Sequence, residues 1–246
     1  MVLHIFWEGW PGSYAFNYPL FWQATDLRNS SLPDDQRLLL GICGRPASGK
    51  TTFALRLTNT INGLYRAQQP QPLGTLESAT SDDADTRTHP GSDIAICVPQ
   101  DGFHHTRAML DTFPDVKEAY DRRGAAFTFD DVGYYNLVSK LREPIPAGPG
   151  PTIVTAPSFD HAAKDPVMDS IIIPAAARIV IIEGLYTFLA VQGWKKASEL
   201  LDERWFVDAD SKMATTRIVL RHVTTGVAND MDEAIWRAAN NDMPSE

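Results

Sequence analysis

Continuous runs of apolar residues divide the chain into four candidate strands. The runs lie at 37–43, 93–98, 178–182 and 204–207. Helical or polar sequence separates each run from the next, and this pattern predicts a parallel sheet that is covered by helices on both faces. Two shorter runs, at 152–155 and 170–173, predict the strands of a hairpin-like excursion around the segment SFDHAAKDP.

Apolar residues at helical spacing predict the helices that cover this sheet. The first follows a glycine-rich loop and runs from about Thr51 to Arg66. Residues 104–143 are mostly helical in pattern, with breaks near Pro114 and Gly124, and two further helices are predicted at 211–225 and 231–240. Residues 67–92 are rich in Pro, Gly, Ser, Thr and Asp, a composition that predicts a flexible insertion.

The length and charge of the chain narrow its class. A chain of 246 residues is long enough to form one α/β domain. The net charge of −9 argues against broad binding to nucleic acid or to an anionic membrane, since phosphate groups require a basic surface. Cys43 and Cys97 each lie inside an apolar run, and two such thiols make neither a disulfide framework nor a zinc site. A reducing, cytoplasmic compartment fits these cysteines best.

The first 36 residues form an atypical extension ahead of a predicted domain at 37–246. Residues 1–22 contain eight of the 24 aromatic residues and no Lys or Arg. They lack the positive start and the continuous apolar centre of a secretory signal, and Gly and Pro interrupt them too often for a membrane-spanning helix. We expect the extension to pack on the domain surface, with a mis-joined gene model as the alternative, and we assign it no chemistry.

The loop after the first predicted strand fits the phosphate-binding pattern G-x-x-x-x-G-K-[ST]. Its residues are Gly44, Arg45, Pro46, Ala47, Ser48, Gly49, Lys50 and Thr51, with Thr52 following. In such a loop the backbone N–H groups and the helix N-terminus surround phosphate oxygens. Lys50 is predicted to reach the β- and γ-phosphates, and the Thr51 hydroxyl is predicted to ligate Mg²⁺. No guanine-binding Asn-Lys-x-Asp element follows a strand, which disfavours a GTPase.

Two carboxylates follow strands of the predicted sheet. Asp101, in the stretch PQDGFHH, follows the second strand, and Glu183 ends the strongest one. Ligands bind at the carboxyl ends of strands in such sheets, so both side chains should face the phosphates. One carboxylate could then hold the metal while the other accepts the proton of an attacking hydroxyl. The alternatives are a hairpin turn at Asp101 and a helix cap at Glu183.

The glycines beside these carboxylates, Gly102 and Gly184, are interpreted as space for a substrate. Asp208 and Asp210 follow the last strand, and we interpret them as caps of the next helix.

Together these segments resemble the superfamily of uridine kinase, phosphoribulokinase and type I pantothenate kinase. The nearest likeness is to the uridine-kinase-like ATP-dependent kinases of fungi and bacteria. The resemblance covers residues 37–243 and rests on GICGRPASGKTT, DGFH, RRGAAFTFD, PSFDHAAKDPV, IVIIEGLYTFL, RIVLRHVTTGVA and NND. It implies an α/β P-loop NTPase fold with three α/β/α layers, a mostly parallel sheet and a small lid at 211–227.

The resemblance also implies roles for individual residues. Asp101 matches the base that activates the acceptor hydroxyl, and Glu183 matches the glutamate that assists Mg²⁺. Arg217 and Arg221 match the lid that closes over the phosphates, although they could instead form a solvated helix face. The segments that match the acceptor pocket contribute Arg123, Asp130, Phe159, Asp160 and His161. His104 and His105 are open between pocket and surface, and His105 is kept as a candidate pocket residue.

The leading hypothesis is therefore an enzyme that moves the γ-phosphoryl group of ATP, with Mg²⁺, to a hydroxyl of a small metabolite. The acceptor could be a nucleoside, a sugar or a pantothenate-like acid. The chain ends at Glu246, where relatives usually continue into a last strand and helix that help to hold the adenine. The alternative is thus a catalytically weak nucleotide-binding protein with a regulatory role. An ATP-driven motor is disfavoured because neither an arginine-finger partner nor a second motor-like domain is visible.

Overall fold

A computed structural model describes residues 2–6, 33–69, 93–147 and 153–239. Its strands are β1 (Leu3–Phe6), β2 (Leu38–Gly44), β3 (Ala95–Pro99), β4 (Val154–Asp160), β5 (Asp165–Ile173), β6 (Ile179–Glu183) and β7 (Glu203–Asp208). Its helices are α1 (Lys50–Gln68), α2 (Arg107–Leu110), α3 (Val116–Asp121), α4 (Asp131–Arg142), α5 (Trp194–Glu199), α6 (Ser211–Thr224) and α7 (Met231–Arg237). Short 3₁₀ turns span Gln100–Phe103 and Ala126–Thr128.

Five strands form a parallel sheet in the order β1-β7-β2-β6-β3. The second strand of the chain therefore lies at the centre, and the carboxyl ends of β2, β3 and β6 meet at one edge. This arrangement confirms the predicted parallel α/β sheet. β4 and β5 form a separate antiparallel pair, as the two shorter apolar runs predicted.

Helices cover both faces of the sheet, which explains why its strands are continuously apolar. On one face, Leu38, Leu40 and Ile42 pack with the apolar side of α1. On the other face, Leu39 packs in a cluster that includes residues of α4 and α5. Successive side chains of a strand point to opposite faces, so a strand buried on both sides needs apolar residues at every position.

The extension at 1–36 contributes a strand that the sequence did not predict. β1 pairs in parallel with β7 at the sheet edge, with Leu3 opposite Trp205 and Phe6 opposite Asp208. Leu3 and Ile5 pack against the core cluster on the α1 face. The first strand of the chain thus forms an edge of the sheet beside β7, while residues 7–32 of the extension lie outside the described residues.

Two predictions concern segments that the structure does not describe in full. The predicted flexible insertion at 67–92 lies outside the described residues from 70 onward, as does the chain end from 240. The short helix α5 was not predicted. None of the helices that the structure describes is both long and apolar enough to cross a membrane.

Candidate active site

The phosphate loop lies between β2 and α1, as its sequence pattern predicted. A Cβ atom on Gly44 would approach the Val207 carbonyl oxygen to 2.5 Å, so this position admits only glycine beside β7. Gly49 takes a φ of 89° at the start of α1, a left-handed conformation that glycine adopts without strain. The loop therefore turns sharply enough for its backbone N–H groups and the α1 N-terminus to face one space.

Lys50, Glu183 and Asp101 come together at the mouth of this loop. Burial lowers the pKa of the Lys50 ammonium, whereas the nearby carboxylates of Glu183 and Asp101 act in the opposite direction. Burial also raises the pKa of Glu183, with Lys50 opposing that shift and the Asp101 carboxylate adding to it. The two predicted strand-end carboxylates therefore interact with the phosphate-loop lysine and with each other.

Thr51 and Glu183 form a direct contact across this space. The Thr51 hydroxyl donates a hydrogen bond of 3.1 Å to Oε2 of Glu183, which is only 5% exposed. A threonine hydroxyl and a carboxylate are oxygen ligands of the kind that Mg²⁺ prefers when it also binds substrate phosphates. The described residues contain no cluster of three His, Cys, Asp or Glu residues able to hold a metal.

Asp101 lies in the 3₁₀ turn directly after β3, with an exposed side chain. The hairpin that would make it a turn residue between two strands does not form, because helical segments follow it. Gly102 has a different role from the predicted one. A Cβ atom there would collide with the carbonyl group of Pro157 in β4, so this glycine permits close packing of two chain segments rather than space for an acceptor.

Gln100 links the two strand-end loops, and no pattern in the sequence indicated this contact. Its side chain is fully buried, and its Oε1 accepts a 2.8 Å hydrogen bond from the backbone N–H of Tyr186. Gly184 packs directly against Gln100, so a Cβ on this glycine would overlap the Gln100 side chain. The space beside Gly184 is therefore filled by protein, in contrast to the predicted substrate space.

His104 lies at the centre of an aromatic cluster beside Asp101. Its ring centroid is 3.9 Å from that of Phe129 and 4.8 Å from that of Phe159. Its Nδ1 lies 2.8 Å from the carbonyl oxygen of Asp101, and because a carbonyl only accepts, Nδ1 carries the proton. Burial lowers the pKa of His104, and Arg123 and His161 act in the same direction, whereas Asp101 opposes the shift. The ring is thus a neutral imidazole at neutral pH.

Arg123, Phe159 and His161 surround this histidine. The guanidinium of Arg123 lies 5.7 Å from the Phe159 ring centre and donates to the Asp165 carboxylate at 3.0 Å. The His161 ring meets the Phe159 ring edge-on at 5.3 Å. The structure therefore brings together three of the residues predicted for the acceptor pocket. The sequence left His104 open between pocket and surface, and it missed Asp165 as a neighbour, although Asp165 lies inside the quoted segment PSFDHAAKDPV.

Three other predicted pocket residues have visible local partners. Asp130 caps α4 by accepting a hydrogen bond from the Gly133 N–H at 2.8 Å. Asp160 accepts from two backbone N–H groups in the turn after β4, at 2.7 and 3.1 Å. The His105 ring packs edge-on against Phe113 at 5.6 Å. A substrate-binding role for these three residues stays a prediction.

The predicted lid at 211–227 corresponds to α6 and the turn that follows it, and its arginines lie on α6. Helix α7 begins after this segment, at Met231. Asp210 caps α6 through a 2.9 Å hydrogen bond from the Met213 N–H, which confirms the predicted cap. α6 lies beside the phosphate loop, because Ala47 of the loop packs against a cluster that includes Ile218 of this helix. Burial lowers the pKa of Lys50, and the charge of Arg221 acts in the same direction. Arg217 lies one turn earlier on the same helix.

Comparisons with known proteins agree with this architecture. No protein-family model matches the chain. An ATP-dependent kinase-like protein of Aspergillus versicolor is 48% identical over 142 residues, which are 58% of this chain and 81% of that protein. A candidate uridine kinase of Schizosaccharomyces pombe is 32% identical over 212 residues, which are 86% of this chain and 77% of the relative.

A solved structure also resembles the fold over most of its length. YFH7 from Saccharomyces cerevisiae, described as a candidate P-loop kinase with a circular permutation, aligns over 93% of each chain. The TM-score is 0.73 at 22% identity, a likeness that concerns the fold alone.

The phosphate loop and the parallel sheet thus have the fold of a P-loop kinase. The curated relatives define the group more narrowly. The chain belongs to the uridine kinase-like family of P-loop kinases.

Proposed function

We propose that this protein is an ATP-dependent phosphotransferase that moves the γ-phosphoryl group of ATP to a hydroxyl of a small metabolite. One observation carries the proposal: Asp101 and Glu183 follow the neighbouring strands β3 and β6 at the same edge of the sheet, and Glu183 accepts a hydrogen bond from Thr51 of the phosphate loop. In an ATP hydrolase, the position of the acceptor hydroxyl would be occupied by a water molecule. A second carboxylate that is exposed toward the mouth of the site suits a reaction in which an organic hydroxyl must lose its proton.

In this mechanism the phosphate loop binds the nucleotide and Lys50 contacts its terminal phosphates. Asp101 accepts the proton of the acceptor hydroxyl as that oxygen attacks phosphorus and the bond to the β–γ bridging oxygen breaks. The guanidinium groups of Arg217 and Arg221 stabilise the negative charge that spreads over the transferred group. Closure of the lid excludes water, which would otherwise compete as acceptor.

Thr51 and Glu183 would hold Mg²⁺ on the nucleotide. The hydrogen bond between them places a hydroxyl and a carboxylate oxygen next to each other, which fits the oxygen ligands of this ion. When bound, Mg²⁺ neutralises phosphate charge. Burial raises the pKa of Glu183, so a positive ion in addition to Lys50 would stabilise the ionised form of this carboxylate.

The acceptor pocket lies among His104, Phe159, His161 and Arg123. Aromatic faces beside a neutral imidazole suit an acceptor that combines a flat or apolar part with hydroxyl groups. A nucleoside fits that description, and the likeness to a candidate uridine kinase supports it. Sugars and pantothenate-like acids remain alternative acceptors, and both classes are tested below.

The experiment incubates the protein with Mg-ATP and uridine, cytidine, adenosine, D-fructose, D-glycerate or pantothenate. Phosphorylated product is detected by mass, and ADP release is measured with and without acceptor. We expect one class of acceptor to yield a product 80 Da heavier and to accelerate ADP release, and Lys50→Ala to abolish both. If no acceptor raises ADP release above the acceptor-free rate, the kinase proposal is wrong and a nucleotide-binding role without transfer takes its place.

A further inference from the structure

Ala47 occupies an unusual position in the phosphate loop. Its φ is 59°, in the left-handed region where a Cβ atom crowds the backbone and glycine is favoured. Glycine already serves this purpose at Gly49 in the same loop. Alanine at position 47 therefore keeps a methyl group at the cost of local strain, and such strained residues tend to occur where the side chain has a function.

The methyl group of Ala47 packs against the lid. Helices α6 and α7 share a small apolar cluster of their own, separate from the clusters of the two sheet faces. Its buried members are Ile218, Val219, Ala228, Ala234 and Ala238. Ala47 packs against this cluster from the phosphate loop, together with Val223 of α6. The strained residue is thus a point of contact between the nucleotide loop and the lid.

The lid side of this contact carries the predicted catalytic arginines. Ile218 follows Arg217 directly, and Val219 lies two positions before Arg221. Ile218 and Val219 are almost fully buried in the cluster, at 1% and 8% exposure, so their seating fixes the rotation of α6 about its axis. A shift of the cluster on Ala47 would therefore move both arginines relative to Lys50.

We propose that Ala47 is a positioning residue that docks the lid on the phosphate loop, so that Arg217 and Arg221 face the transferred phosphoryl group only while the loop holds its strained conformation. The predicted effect on phosphoryl transfer rests on the proposed kinase function, but the predicted effect on hydrogen–deuterium exchange in α6 does not. Nucleotide phosphates that order the loop would then also order the lid. An empty or relaxed loop would leave the lid less firmly seated.

Ala47→Gly tests this proposal, because glycine accepts the same φ without strain and lacks the methyl group. Hydrogen–deuterium exchange of α6 and α7 is followed with Mg²⁺ and the β,γ-imido analogue of ATP. We expect exchange in α6 to rise by up to about fourfold, the limit set by loss of one fully buried methyl contact, because the Ala47 methyl is partly buried; thermal stability should not fall. In transfer assays the acceptor-dependent kcat should fall by a similar factor at unchanged KM for ATP. The share of ADP released without acceptor should rise.

Two further variants make the outcome decisive. Lys164→Gly relieves the same kind of strain, at a φ of 55°, on the exposed turn between β4 and β5, and it should leave exchange in α6 unchanged. Val219→Ala weakens the cluster from the lid side and should reproduce the exchange of Ala47→Gly. Unchanged exchange in Ala47→Gly would overturn the proposal, even if Val219→Ala loosens the lid. If wild-type protein shows acceptor-independent ADP release alone, the kinase function fails while the exchange data still decide this contact.

Discussion

Replacing Gly184 by alanine should destabilise the protein through its contact with Gln100. The Cβ of the new side chain would overlap the Gln100 Cβ and Oε1 and would lie 3.0 Å from Cδ. Gln100 is fully buried, and its Oε1 accepts the hydrogen bond from the Tyr186 N–H. The amide must therefore move, and the N–H of a buried residue then loses its partner.

The cost combines two contributions of similar size. Overpacking of a filled interior costs about 1–3 kcal/mol. A buried donor left without its acceptor costs about 1–3 kcal/mol more, so the free energy of unfolding should fall by about 2–6 kcal/mol in Gly184→Ala. The measurement is urea denaturation of the nucleotide-free protein, followed by tryptophan fluorescence, with the change in midpoint compared at an unchanged slope.

Gly63→Ala is the matched control for this change. Gly63 lies inside α1, and a Cβ there would meet nothing within 4 Å. Alanine in a helix interior is favoured over glycine by about 0.5–1 kcal/mol, so this variant should be as stable as wild type or more stable. If Gly184→Ala instead matches wild type, Gln100 does not fill the space beside Gly184, and the interpretation of that glycine as room for a substrate regains its support.

Two other predictions concern stability. Asn62→Ala removes the amide that bonds both the N–H and the carbonyl group of Ala95, at 2.8 and 2.9 Å, on the edge of β3 that faces away from β6. The loss should lower the urea midpoint by the equivalent of about 2–4 kcal/mol. The exposed Asn59→Ala on the same helix should change it by less than about 0.5 kcal/mol, and equal effects of the two variants would contradict this role of Asn62. Burial lowers the pKa of His104 in the folded protein below its usual value of 6.5. As the pH falls through 6.5, His104 therefore binds a proton more readily in the unfolded chain than in the folded protein, and acid favours unfolding. His104→Asn should lose less stability than wild type between pH 7 and pH 5 in thermal denaturation, and a parallel loss in both proteins would show that His104 does not titrate in this way.

The sequence predicted the local parts of this structure well. The phosphate loop, the strand before it and the helix after it follow from short-range patterns: apolar residues, then glycines, then helical spacing. The same patterns placed Asp101 and Glu183 at strand ends. Because all carboxyl ends of a parallel sheet lie on one side, the convergence of both residues on Lys50 required only the topology.

The parts that the sequence missed depend on contacts between distant segments. Gly102 packs on Pro157, which lies far along the chain and in a different pair of strands, so no local pattern distinguishes it from a glycine that borders a pocket. β1 has only four residues within an aromatic segment, and its partner β7 is about 200 residues away. Arg123 likewise pairs with Asp165, which lies 42 residues further along the chain.

Phosphoryl transfer by Asp101→Asn is the most direct test of the central claim. The variant keeps the size of the side chain and removes its ability to accept a proton, so kcat with the active acceptor should fall about 10²–10⁴-fold. Binding of Mg-ATP should stay within about twofold of wild type, because Asp101 lies outside the phosphate loop. Asp169→Asn, on the exposed part of β5, is the matched control and should retain full transfer. A kcat within fivefold of wild type for Asp101→Asn would contradict the assignment of Asp101 as the base.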